Sequence, residues 1–161
     1  DLIRELQIRF LDRIEQEHTL VITQLRREEL PLRLLVPTAV RNYGEHLRRL
    51  SGLLRVFMEV AASDAVVKSN GERYADQAMR DFTLLLLERR EEIRHPDPDH
   101  AVMASYEVMY AVFAWTLGLG HTPQRLEEAG WDRLVADVSL MILNFLLAGP
   151  GWTGETPPGI T

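Results

Sequence analysis

The stretch "HPDPDHAVMASYEVMYAVFAWTLGLG", residues 95–120, decides how the chain is read. It opens with the chemistry of a helix start. Asp97 is a good N-cap, Pro98 suits the first helical position, and Asp99 favours the positive end of the helix dipole. Gly118 and Gly120 mark the end. From Ala101 to Gly120 only Glu107 carries a formal charge. A surface helix of a soluble protein keeps one polar face; this one has none and must bury two. Met103, Tyr106, Tyr110, Phe113 and Leu117 form one stripe, and Ala104, Val108, Ala111 and Trp115 form another. Tyr106 and Val108 point roughly 200° apart around a helix of 3.6 residues per turn. One stripe can face the domain interior, and the other can face a second subunit.

Outward from this segment the chain reads as helix throughout, an all-α bundle of about six helices. Leu2, Leu6, Phe10, Ile14, Val21 and Leu25 recur at helical spacing; this first helix runs to about Glu29, and Pro31 marks the break. A second helix covers roughly Leu32 to Leu50, weakened near Pro37 and Gly44, and a third covers Ser51 to Ala62. Ser63 or Asp64 can cap a fourth, which carries Val67, Tyr74, Ala78, Phe82 and Leu85 and ends before Pro96. The helix from Asp97 is the fifth. The loop "HTPQRLEEAG" has room for one more turn, and a last helix runs from Trp131 or Asp132 to Leu147. Residues 1–148 then form one domain, and residues 149–161, "GPGWTGETPPGIT", are Pro/Gly-rich and read as a loose tail.

Composition narrows the function classes. The 161 residues contain no cysteine, which removes disulfides, thiolate nucleophiles and zinc–thiolate sites and fits a reducing, cytoplasmic setting. Net charge is −6, so this chain alone is poorly suited to neutralising phosphates. The most apolar run, Val138 to Ala148, is too short to span a bilayer, and no signal-peptide pattern opens the chain. No membrane partner is expected.

Candidate chemistry is sparse. Glu15 and His18 have the Glu-x-x-His spacing of di-iron bundles, but no second copy exists, and the pair reads as a surface pair. Capping accounts for Asp97 and Asp99 in "HPDPDH", so no metal is expected there. There is no phosphate loop, serine elbow or spaced acid pair, hence no catalytic residue, no cofactor and no enzyme activity is expected. Arg26-Arg27, Arg48-Arg49 and Arg89-Arg90 read as solvated helix faces. The aromatics Phe57, Tyr74, Phe82, Tyr106, Tyr110 and Phe113 are either plain core or the wall of a ligand cavity. Met58, Met79, Met103 and Met109 among them favour a cavity, because flexible thioethers suit an adaptable pocket. Tyr43 and His46 are possible polar contacts to the ligand. Glu107 and Asn144 read as solvent-edge or pairing residues.

Three phrases carry a resemblance. "DLIREL", residues 1–6, matches the end of the phrase that closes the helix-turn-helix domain of TetR-family transcriptional repressors. "LLRVFMEVAASDAVV", residues 53–67, resembles that family's sixth helix and the turn into the seventh. "IRHPDPDHAVMASYEVMYAVFAWTL", residues 93–117, resembles the turn into the eighth. The order and lengths of the helices match the family's helices four to nine, across nearly the whole chain. The resemblance implies an effector-binding and dimerisation domain whose N-terminal DNA-binding domain is missing from this sequence. It implies a homodimer in which the last two helices of each subunit form a four-helix bundle through Ala104, Val108, Ala111, Trp115, Val138, Met141, Ile142 and Phe145. It also implies a hydrophobic or aromatic small-molecule effector held by Phe57, Tyr74, Met79, Phe82, Met103, Tyr106, Tyr110 and Phe113, with operator DNA contacted only through the missing domain. The alternative is a free-standing helical carrier of small ligands, or an enzyme acting on an apolar substrate.

Overall fold

Local chemistry sets several of the helix ends. Asp64 takes an extended conformation and accepts hydrogen bonds from the Val66 and Val67 amides, which starts one helix. Asp97 accepts from the His100 amide and Pro98 follows it, which starts another. Gly118 adopts the left-handed conformation (φ 69°) that closes that helix, and the Leu119 amide donates back to the Ala114 carbonyl. The structure, a computed structural model, describes residues 2–120 and 127–149. Five α-helices result: α1 (Leu2–Arg27), α2 (Leu32–Ala61), α3 (Ala65–Leu87), α4 (Pro98–Leu117) and α5 (Glu128–Leu146), with one 3-10 turn at Arg90–Glu92. The described residues contain no strand, so the chain is all-α. No described helix is long and apolar enough to cross a membrane. Most of the "HTPQRLEEAG" loop, and all of the expected tail but Gly149, lie outside the described residues.

The helix count differs from expectation because the expected second and third helices are one. α2 runs unbroken through Pro37, Gly44 and Gly52. Pro37 forfeits the bond its amide would have made to the preceding turn. Burial on both sides of it outweighs that loss: Leu32, Leu35, Val36 and Val40 are fully buried. α2 is the axis of the fold and packs against all four other helices. Its contact with α4 and α5 is close at Gly44, where an added Cβ would lie 3.0 Å from Phe113 and 3.3 Å from Trp131. Trp131 is held there by its indole N–H, which donates to Glu45 at 2.6 Å, and by the Arg48 guanidinium 5.1 Å from its ring centre.

α1 turns a different face inward than its leucines suggest. Leu2 and Leu6 are exposed, and the buried residues are Gln7, Leu11, Ile14, Ile22 and Leu25. Gln7 can occupy a buried position because its amide donates to the Val67 carbonyl at 2.8 Å and its oxygen accepts from Asn70. The arginine doublets are interhelical ties as well as solvated faces. Arg26 pairs with Glu88, Arg48 with Glu128, Arg49 with Glu17 and Arg90 with Asp99. These pairs are exposed and screened by solvent, so they fix register more than stability.

α4 and α5 bury one face each within the chain. Ala101, Val102, Ser105, Tyr106, Met109, Phe113 and Thr116 of α4 face inward, and Ser105 and Thr116 hide their hydroxyls by donating to carbonyls one turn back. Val135, Val138, Ser139, Ile142 and Leu146 of α5 do the same. Facing outward are Val108, Ala111 and Trp115 on α4 and Leu140 and Met141 on α5.

Candidate functional site

Two cavities lie between the helices. The larger, about 550 Å³, has α1, α2, α3 and α4 around it. α1 supplies Gln7, Leu11 and His18; α2 supplies Tyr43, His46, Leu47, Leu54, Phe57 and Met58; α3 supplies Val67, Tyr74, Ala75 and Ala78; and α4 supplies Tyr106 and Tyr110. Two exposed lining residues, Lys68 and Glu72, sit one turn apart on α3 and pair at 3.7 Å. The smaller cavity, about 310 Å³, lies beside Val21, Ile22, Leu25, Ala39, Phe82 and Leu85. His18, Tyr43 and His46 line both, so they form the waist between them.

The waist is polar and largely shut off from water. Tyr43 and Tyr106 share a hydrogen bond at 2.7 Å between their hydroxyls, with ring centres 5.5 Å apart in an edge-on arrangement. His46 Nε2 and the Tyr74 hydroxyl are 2.9 Å apart, and Arg49 approaches His46 Nδ1 at 3.3 Å. Arg49 is itself neutralised by Glu17 at 2.6 Å. His18 Nε2 stands 3.4 Å from Asp81 Oδ2 without the alignment of a hydrogen bond. Burial raises the phenols of Tyr43, Tyr74, Tyr106 and Tyr110, so all four keep their protons. Burial lowers His18 despite the nearby Asp81 and Glu15 carboxylates. Burial first, then the charges of His18 and Arg49, pushes His46 down to about 4. Both imidazoles are therefore neutral at pH 7.

That depression has a consequence for stability. Above pH 6.5 neither the folded nor the unfolded chain protonates His46. Between 6.5 and about 4 the unfolded chain binds a proton there and the folded chain does not, so stability falls with pH across that window. The full shift corresponds to about 3 kcal/mol, which the partial exposure of the ring reduces to roughly 2 kcal/mol. Urea unfolding at pH 7.5 and pH 4.5 is expected to show this loss in the wild type and a shallower one in His46→Gln. Equal slopes in the two proteins would remove His46 from the account.

The residues expected at a ligand site separate into three groups. Phe57, Tyr74, Tyr106 and Tyr110 line the large cavity, and Phe82 lines the small one. Met79 packs against the main core, and Phe113 is fully buried against Gly44 and Trp131, where no space adjoins it. Met103 is half exposed on the outer side of α4. The Glu15-x-x-His18 spacing predicts a surface pair, but His18 turns inward to line the cavities with its side chain only 13% exposed, and Gln7, Leu11, Leu47 and Leu54 also join the wall. His18 fills the gap between Ile14 and Ile22 on the buried stripe of α1, and that spacing was the available signal. Among the described residues no cluster of three or more His, Asp or Glu side chains could hold a metal ion.

The residues expected at a subunit interface also divide. Val108, Ala111, Trp115 and Met141 are exposed, and Ala104 and Phe145 are half-buried. Val138 and Ile142 are 4% and 3% exposed and belong to the chain's own core, while Leu140 beside them is exposed. Glu107 and Asn144 face outward as well. No family model, curated protein or solved structure matches the chain.

Proposed function

We propose that the chain is the effector-binding and dimerisation domain of a TetR-like transcriptional repressor acting in the cytoplasm. The large cavity takes a mainly apolar or aromatic small molecule, and the outward faces of α4 and α5 meet the same faces of a second copy. The observation that carries this reading is a cavity of about 550 Å³ with aromatic walls, large enough for a small-molecule ligand, in a chain whose last two helices also turn apolar side chains outward. The resemblance of residues 1–6, 53–67 and 93–117 to the family supports it. In that family operator DNA is held by a separate helix-turn-helix domain, so DNA binding belongs to a longer chain.

α1 connects the two activities in this reading. It supplies Gln7, Leu11 and His18 to the cavity wall, so an occupant bears directly on it. An effector that binds the DNA-incompetent arrangement more tightly shifts the population towards it; equal affinity for both would shift nothing. Such coupling is typically about 1–3 kcal/mol, or roughly 5–150-fold in operator affinity. Fluorescence anisotropy with operator DNA tests this. A chain carrying the helix-turn-helix domain is expected to bind a near-palindromic operator and release it with effector, whereas residues 1–161 alone are expected to show no specific binding. Specific binding by the 161 residues, or an affinity unmoved by saturating effector, sinks the reading.

A further inference from the structure

The waist of the cavity carries hydrogen atoms without acceptors. Arginine has donors only, so the contact from Arg49 makes His46 Nδ1 an acceptor. The imidazole proton then sits on Nε2 and is donated to the Tyr74 oxygen at 2.9 Å. That leaves the Tyr74 hydroxyl proton unused, since it makes no other hydrogen bond among the described residues. Tyr43 and Tyr106 repeat the situation: one hydroxyl donates to the other at 2.7 Å, and the remaining proton of the pair makes no hydrogen bond to a described residue. All three tyrosines line the large cavity. Water can take these protons while the cavity is empty of ligand. A ligand that displaces the water has to replace the acceptor, because a buried hydroxyl left unpaired loses its hydration with nothing in return.

Charge narrows the class further. Among the described lining residues the cations are Arg49 and Lys68, and both are exposed and paired with carboxylates, Glu17 and Glu72. A buried carboxylate ligand would find donors but no counter-charge, and the nearest ionised group behind His18 is Asp81, of the same sign. Interior carboxylates suited to a ligand cation are equally missing among the described lining residues, since Glu45 already accepts from Trp131.

We infer that the cavity selects an uncharged, mainly apolar molecule bearing a carbonyl-type acceptor, with the Tyr74 hydroxyl, set by His46 and Arg49, and the spare hydroxyl of the Tyr43–Tyr106 pair as its donors. The inference rests on the reading of the cavity as a ligand site and adds the chemical class. A carbonyl oxygen has two lone pairs and can take either donor or both. The mainly apolar lining of the large cavity around these hydroxyls fits a molecule with apolar bulk beside that acceptor.

Benzophenone, whose central carbonyl is flanked by two rings, and diphenylmethane, the same shape without the acceptor, form a matched pair of probes. Diphenylacetate serves as the anionic comparison. Both uncharged probes are expected to bind the 161-residue chain. The infrared carbonyl band of bound benzophenone is expected at lower frequency than in cyclohexane, a readout that needs no variant. The double variant Tyr74→Phe, His46→Leu, which removes both members of the relay, is expected to weaken benzophenone about threefold to tenfold and leave diphenylmethane within about twofold. A carbonyl band at its cyclohexane position, an equal loss for both probes, or tighter binding of diphenylacetate than of benzophenone overturns the acceptor class while leaving the cavity as a ligand site. Failure of all three compounds to bind overturns both.

Discussion

Ala111→Arg is expected to convert the proposed dimer to monomer while leaving the helical content unchanged. Ala111 is exposed on the outward face of α4, so the longer side chain meets nothing within its own chain. Around it lie Val108 and Trp115 on α4, with Leu140 and Met141 on the adjoining α5; Trp115 and Met141 are 59% and 62% exposed. In a two-fold interface each copy presents the same patch, so one substitution places two guanidinium groups near the axis. Small residues at Ala104 and Ala111 let two such helices approach closely, and an arginine there forces them apart. Like charges brought together in a desolvated seam, only partly offset by the exposed Glu107 one turn away on α4, weaken association by at least about 100-fold, or roughly 3 kcal/mol. Sedimentation equilibrium at micromolar concentration reads this directly. Leu20→Arg, at an exposed position on α1, is expected to remain dimeric and serves as the control. A wild type that sediments as monomer, or an Ala111→Arg protein that stays dimeric, rules out this face as the interface.

What pattern reading recovered and what it missed divide along a physical line. The start and end of α4 were legible because Asp97, Pro98 and Gly118 act on backbone groups within one turn of themselves. The start of α3 was legible for the same reason, through Asp64, and Pro31 marked the start of α2, although the Leu32 amide there is capped by Glu92, sixty residues on. The continuity of α2 was not, because Pro37, Gly44 and Gly52 look like breakers to any local rule and only the packing around them overrides it. The inward face of α1 was misjudged because hydropathy ranks Leu2 and Leu6 above Gln7 and His18. The partners that satisfy Gln7 inside, Val67 and Asn70, are about sixty residues away in sequence, and so is Asp81, the carboxylate beside His18. The site was half legible. A stripe of aromatics at helical spacing identifies the face that turns inward, but not whether space or side chains stand opposite it. Tyr106 and Tyr110 meet the cavity, whereas Phe113, on the same stripe, meets Gly44 and Trp131.

Gly44 is where that packing is tightest, and Gly44→Leu is expected to destabilise the fold by about 3 kcal/mol or more. An added Cβ alone would lie 3.0 and 3.1 Å from two ring atoms of Phe113 and 3.3 Å from Trp131. Neither ring has room to retreat. Phe113 is fully buried, and Trp131 is fixed by Glu45 on one side and Arg48 on the other. Alanine is the sharper test, because two effects oppose. Replacing a mid-helix glycine by alanine ordinarily gains about 0.5–1 kcal/mol through lower backbone entropy in the unfolded chain. Here, pushing two locked aromatic rings apart by a few tenths of an ångström costs more than that, for a net loss of about 1 kcal/mol. Gly52, on the same helix with nothing within 4 Å of its would-be Cβ, supplies the comparison: Gly52→Ala is expected to gain the full helix-propensity term. Urea denaturation of the three variants at pH 7.5 separates these outcomes. If Gly44→Ala stabilises the protein as much as Gly52→Ala does, the close approach of α2 to α4 and α5 does not constrain the fold.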